Sequence, residues 1–265
     1  MKEIRTTDTR YHNNFAYYEG DFIGESLHYY GEYQGLEIEF LRSLVEGEYQ
    51  RNAVVWDIGA NIGVHATQLA GVAKHVYSFE PHPMMFDLLE RNTSGLDNVS
   101  IFNMAAGNST DDVMMLDIDQ ISEKKNFGTV RIADQGTVPV KQIILDDFDL
   151  PTPDLVKIDV EGYEINVLRG MERTIDEHTP HLNIEAMENN HEIIKFFEGK
   201  PYNLFWLCIR NYNENNYKQN RQNFYGNPNG AIFNIFATTG IVPGAQPVKG
   251  PDDNWEKLLE RIKSL

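Results

Sequence analysis

Residues 52–71 read NAVVWDIGANIGVHATQLAG, and this stretch decides the fold. The apolar run AVVWDI is rich in β-branched residues and reads as a strand. Two glycines follow, and a helix is expected from Gly63 to Ala70. Strand, glycine turn and helix together outline a nucleotide-type loop. A dinucleotide loop carries Gly-x-Gly-x-x-Gly, but here Asp57 stands where its first glycine belongs. An anion at that point repels a pyrophosphate and attracts an ammonium or sulfonium group. Gly59 and Gly63 allow close backbone approach and tight helix–strand packing.

The same alternation continues outward. KHVYSFE is a second strand, PMMFDLLERNTSG a helix closed by Gly95, and NVSIFNMA a third strand. DLVKIDVEG and HLNIEA are further strands, with a helix expected over 163–171 between them and another over 190–198 after them. YNLFWLCI and GAIFNIFATT complete the set. Strands alternating with helices imply a parallel sheet with right-handed crossovers. Upstream, residues 35–46 carry apolar positions at helical spacing, so 1–50 reads as a helical lead-in or substrate cap on a core of 51–250. Within that core, VMMLDI, GTVRIA and TVPVKQI suggest a β-hairpin addition over 107–149. An Asn-rich loop over 210–230 is too long for a simple connection and reads either as a mobile substrate lid or as a disordered segment. In the tail, 251–265, Trp255, Leu258, Leu259, Ile262 and Leu265 share one helical face expected to dock on the core.

Composition narrows the function. A net charge of −17 argues against nucleic-acid partners, which need clustered Lys and Arg. The 41% hydrophobic content and mean hydropathy of −0.45 suit a globular chain. No apolar run approaches the roughly 18 residues of a membrane span, and MKEIRTTDTRYHNNF lacks a signal-peptide core. A cytoplasmic setting without membrane partners is expected. The single cysteine, Cys208, lies in LFWLCI and reads as a buried, inert thiol.

Ligands of such sheets bind beyond the carboxyl ends of the strands. Asp57, Glu80, Met104–Ala105, Asp159 and Glu185 all fall at those ends. Glu80 follows Asp57 by 23 residues and can accept hydrogen bonds from ribose hydroxyls. A ribose beside a cationic centre describes S-adenosylmethionine better than NAD. Lys157 and Asp159 share a strand face at spacing two, either as a buried pair or as site residues. Asp159 and Glu161 are the candidate general bases, with His65 and His82 as outsiders. Asp159 and Glu185 are oxygen donors of the type that Mg²⁺ takes. Two carboxylates on separate strands are thin grounds for a metal, and none is assigned.

WDIGANIG, FEP, ILDDF and KIDVEGYE, in that order, resemble the FkbM family of S-adenosylmethionine-dependent methyltransferases. The resemblance covers about 54–185, and GEYQGLEIEFL is similar to that family's lead-in. It implies a class I methyltransferase fold, a Rossmann-like three-layer α/β sandwich. Its seven-stranded sheet is mostly parallel, with the last strand antiparallel. It also implies O-methylation of a hydroxyl on a small molecule, sugar or glycan. Carried over, the cofactor contacts are Asp57, Gly59, Asn61, Gly63, Val64, Glu80, Pro81, Met104, Ala105 and Asp159. His65, the His82 of EPHP and the Asn-rich loop depart from the commoner pattern and leave the acceptor open. The alternatives are an NAD-dependent oxidoreductase or epimerase and a non-catalytic module of the same fold.

Overall fold

The computed structural model describes residues 3–120, 126–226 and 230–263. Leu265, part of the addition and the end of the lid loop lie outside the described residues. Eight strands form one sheet. They are β1 (Val54–Ile58), β2 (His75–Phe79), β3 (Val99–Phe102), β4 (Leu155–Ile158), β5 (His181–Glu185), β6 (Asn203–Arg210), β7 (Ala231–Thr238) and the two-residue β8 (Gln246–Pro247). Their order is β8-β6-β7-β5-β4-β1-β2-β3. Strands β1 to β5 pair in parallel, whereas β7 inserts antiparallel between β5 and β6. Apart from the short edge strand β8, this is the expected class I methyltransferase sheet.

Helices cover both faces and make the three layers. On one face, Leu41 and Val45 of α2 (Gly35–Tyr49), Leu69 of α3 (Val64–Ala70) and Leu89 of α4 (Pro83–Thr93) pack on Val55, Val76 and Leu155. On the other face, α5 (Glu164–Gly170), α6 (Glu172–His178), α7 (Asn190–Phe196) and α8 (Trp255–Lys263) cover Trp56, Ile58, Val156 and Ile184. Pro83 opens α4, where its missing N–H costs nothing. Alternation along each strand divides these two sets of side chains.

Several expectations are revised. The helix expected over 163–171 continues after Met171 as α6, which the sequence reading missed. The first 50 residues are not purely helical. Ile4–Thr7 pairs antiparallel with Phe15–Tyr18 before α1 (Phe22–Tyr30) begins. Asp21 caps α1 through Gly24 N and also accepts from Phe127 N at 2.9 Å, which ties the addition to the lead-in. Burial raises the Asp21 carboxyl to about 6. In the addition, Val113–Met115 pairs with Val138–Val140, but GTVRIA contributes only a bridge from Ile132 to Met115. A 3₁₀ turn at Phe127–Thr129 takes the place of the third strand.

Trp255, Leu258 and Leu259 dock as expected, with Trp255 stacked on Phe233 at 5.3 Å. Ile262 instead faces solvent. Cys208 is also exposed, not buried. It lies on β6 beyond the two positions where β8 covers the edge, Phe205 and Trp206. Among the described residues no helix is long and apolar enough to cross a membrane.

Candidate active site

A cavity opens at the carboxyl ends of β1, β2 and β4, and its walls enclose about 870 Å³ with the open mouth included. Two turns shape its floor. Gly59, with φ 81, and Asn61, with φ 49, carry the chain from β1 toward α3. A Cβ on Gly59 would collide with the backbone carbonyl of Asp159, so only glycine fits there. Asn61 closes the turn with its side chain, its Oδ1 accepting from Ile62 N at 2.8 Å. Gly63 itself does not line the cavity. It begins α3 at φ 91 and lets Leu89 approach.

Glu80 follows β2 and is 5% exposed on the cavity wall. Its Oε2 accepts from Asn61 N at 2.9 Å and its Oε1 from His82 N at 2.8 Å. Burial pushes the carboxyl up to about 7, against the pull of those two N–H groups and of Lys157. Pro81, Val64, Met104 and Ala105 line the cavity beside it, with Met85 and Met115 adding apolar wall. His82 is buried but turned away from the cavity.

Asp57 is placed differently from the expectation. It is fully buried and does not line the cavity. Parallel pairing sets it in register with Lys157, whose Nζ lies 3.3 Å from Asp57 and 3.7 Å from Asp159 and donates to Gly59 O at 2.7 Å. Burial alone would lower the Lys157 pKa. The carboxylates of Asp57, Asp159 and Glu37 outweigh it and hold the ammonium above its ordinary value. Lys157 is thus a buried ion-pair partner whose side chain also lines the cavity. A polar row thus crosses the sheet interior: Ser78, Asp57, Lys157 and Asn183, all buried and in register. Glu37 on α2 covers that row, accepting from Asn183 Nδ2 at 2.5 Å and Asn234 Nδ2 at 3.1 Å, with His65 Nε2 at 3.6 Å.

The far end of the cavity is acidic. Asp159 ends the polar face of β4, and Glu161 and Gly162 then take left-handed φ values of 53 and 93. Asp159, Glu161 and Glu185 each bring one oxygen within 4.8 Å of the others, a spacing that can hold a divalent cation. Burial first, and then the neighbouring carboxylates, raise Glu161 and Glu185 well above the usual range. Glu164, at the start of α5, is also raised by burial, to about 7, while its Oε1 accepts from Gly162 N at 3.0 Å.

A family model described as the methyltransferase FkbM domain matches residues 57–218, more than half of the chain. The chain belongs to the FkbM methyltransferase family. Among its relatives, the hexuronic acid methyltransferase AglP of Haloferax volcanii is 33% identical over 140 residues. That match spans 51% of this chain and 56% of the relative's length. A solved FkbM methyltransferase from Methylobacillus flagellatus is 20% identical, with a TM-score of 0.46, over 70% of this chain and 44% of the other. A precorrin-6y C5,15-methyltransferase from Geobacter metallireducens is 16% identical, also at 0.46, over 76% and 88%. FkbM membership displaces the oxidoreductase reading.

The cavity of this FkbM chain also has walls that the sequence reading did not name. Tyr33 and Gln34 come from the turn before α2, and Phe127, Val130 and Ile132 come from the addition. His65, named only as an outsider, lines the cavity too. Tyr33 follows no periodicity, and only the neighbouring turn residues of GEYQG hint at it. The addition's residues are brought in by tertiary contacts that no local pattern records.

Proposed function

We propose that the protein transfers a methyl group from S-adenosylmethionine to a hydroxyl of a small-molecule or carbohydrate acceptor. The observation that carries this reading is one cavity lined by a ribose-type carboxylate, Glu80, and by Asp159 and Glu161, which cluster with Glu185. The residues present fit the cofactor. Glu80 would hold the ribose hydroxyls, and Met104, Ala105 and Pro81 would flank the adenine. Asp159 is the carboxylate nearest to hand for the cationic end. Asp57 acts from beneath, by fixing Lys157 and the Gly59 turn. When bound, S-adenosylmethionine supplies the electrophilic methyl carbon.

A hydroxyl nucleophile gains from a base. Glu161 and Asp159 stand at the open acidic end, and the raised Glu161 carboxyl is suited to accept a proton near neutral pH. Alignment of acceptor and methyl carbon supplies the rest of the acceleration. The relative's name makes a sugar the first acceptor class to assay. Residues 1–50 and the loop over 210–230 serve as cap and lid in this reading. The 4.8 Å convergence of Asp159, Glu161 and Glu185 favours a second reading, in which a divalent cation acidifies the hydroxyl.

The test is isothermal titration with S-adenosylhomocysteine and NAD, followed by a methyl-transfer assay on a panel of sugars. Binding of the adenosyl compound alone supports the proposal. Binding of NAD alone would sink it. Exhaustive chelation separates the two mechanisms: the base reading keeps its rate, whereas the cation reading loses it and regains it with Mg²⁺.

A further inference from the structure

Tyr33 lines the cavity from outside the segment that matches the family, as do Ile23 and Gln34. The turn that carries it is fixed from several directions. Gln34 adopts a left-handed φ of 51. Glu32 accepts from Arg10 Nη2 at 2.8 Å, from Tyr217 N at 3.0 Å and from Asn213 Nδ2 at 2.9 Å. The Tyr33 ring meets Phe22 edge-on at 6.5 Å, and Phe22 meets Tyr225 of the long loop at 5.2 Å. Tyr225 in turn donates its Oη proton to Ser26 Oγ at 2.9 Å. The ring is therefore braced from behind by α1 and by the loop.

Tyr33 lines the same cavity as Asp159 and Glu161. An aromatic wall opposite hydrogen-bond acceptors suits a ligand with one apolar face and a rim of hydroxyls. A pyranose ring has both.

We infer that Tyr33 is the acceptor-positioning residue, its ring carrying the C–H face of a pyranose while the carboxylates opposite accept from that sugar's hydroxyls. This rests on the proposed methyl transfer to a carbohydrate. It gives the lead-in, through Tyr33, a share in the choice of acceptor alongside the carboxylates of the family-matched core.

The experiment compares wild type, Tyr33→Phe and Tyr33→Ala, with methyl glucuronoside and methyl glucoside as probes in the presence of S-adenosylhomocysteine. Titration gives the S-adenosylhomocysteine Kd, saturation-transfer NMR reports sugar contact, and the methyl-transfer assay separates KM from kcat. The expected result is an S-adenosylhomocysteine Kd within twofold in all three proteins. Tyr33→Ala should lose saturation transfer to the sugar C–H protons and raise KM at least tenfold, about 1.4 kcal/mol. Tyr33→Phe keeps the ring and should hold KM within threefold. Unchanged saturation transfer in Tyr33→Ala overturns the inference. So does a loss of S-adenosylhomocysteine affinity in both variants, which would mark Tyr33 as part of the cofactor site or the fold. Wild type that binds S-adenosylhomocysteine but contacts neither sugar also overturns it. Wild type that does not bind S-adenosylhomocysteine defeats the methyltransferase reading instead.

Discussion

The two ends of the cavity are built on opposite electrostatic terms. At the β1–β2 end each charge is matched: Asp57 meets Lys157, and Glu80 accepts two backbone N–H groups. At the β4–β5 end three half-buried carboxylates crowd within 4.8 Å, and Lys157, 3.7 Å from Asp159, is already shared with Asp57. One end has partners for its carboxylates within the protein. The other is held in an unfavourable state that a proton, a cation or an acceptor hydroxyl would relieve. Such concentration of perturbed groups in a cleft is characteristic of reacting centres.

The largest expected effect comes from breaking the matched end. Lys157→Met leaves Asp57 buried without its cation, and a broken buried pair costs about 3–5 kcal/mol. Chemical denaturation should show that loss, and adding Asp57→Asn should recover much of it. A loss under 1 kcal/mol would mean that water reaches Asp57. At the crowded end, Glu161→Gln should lower kcat by about 10²–10⁴-fold, with the S-adenosylhomocysteine Kd unchanged. A parallel loss of binding would remove the distinction between the two ends.

Titration tests the same contrast with opposite slopes. Glu80 is raised to about 7, so it binds a proton more readily in the folded protein than in the unfolded chain. Its contribution to stability is complete below the unfolded value and is lost as pH rises through 7. Glu164, also raised to about 7, and Asp21, raised to about 6, have the same sign. The melting temperature of the ligand-free protein should therefore climb between pH 8 and pH 6. A ribose hydroxyl donates to ionised Glu80, so S-adenosylhomocysteine affinity should fall over that window, by up to about tenfold per pH unit below 7. Parallel slopes would show that Glu80 does not receive the ribose.

The smallest effect concerns strain. Glu161 occupies a left-handed conformation at a cost of about 1–2 kcal/mol to a non-glycine residue. Glu161→Gly should raise stability by about 1 kcal/mol, seen as a higher melting temperature, while abolishing most activity. A destabilised variant would place the value of Glu161 in packing instead of chemistry.

The sheet, its glycine turn and the strand-end positions of Glu80, Asp159 and Glu185 were legible because strand ends and spacing record them. The direction of Asp57 was not. A residue at the end of a strand can face the ligand or the layer beneath, and only its register with Lys157 decides between them. The polar position in each of VVWDI, HVYSF, LVKI and HLNIE was visible in the sequence, but its meaning needed the strand order. Tyr33, Phe127 and Val130 were illegible for a different reason: they reach the cavity through turns and insertions without periodicity. The exposure of Cys208 depends on which strand face the helices cover, which LFWLCI does not show.

That register has a consequence for inheritance. Glu37, which covers the polar row, lies before the family-matched residues, and Asn234, which it accepts from, lies after them. β7, the strand that joins β5 to β6, also falls beyond residue 218. The family-matched portion therefore does not contain all the partners of its own buried polar row. In a chimera joined at 57 and 218, the buried amide of Asn183 keeps its acceptor only where the incoming helix carries one at the position of Glu37. Recombination within this lineage should be tolerated only where α2, β5 and β7 travel together.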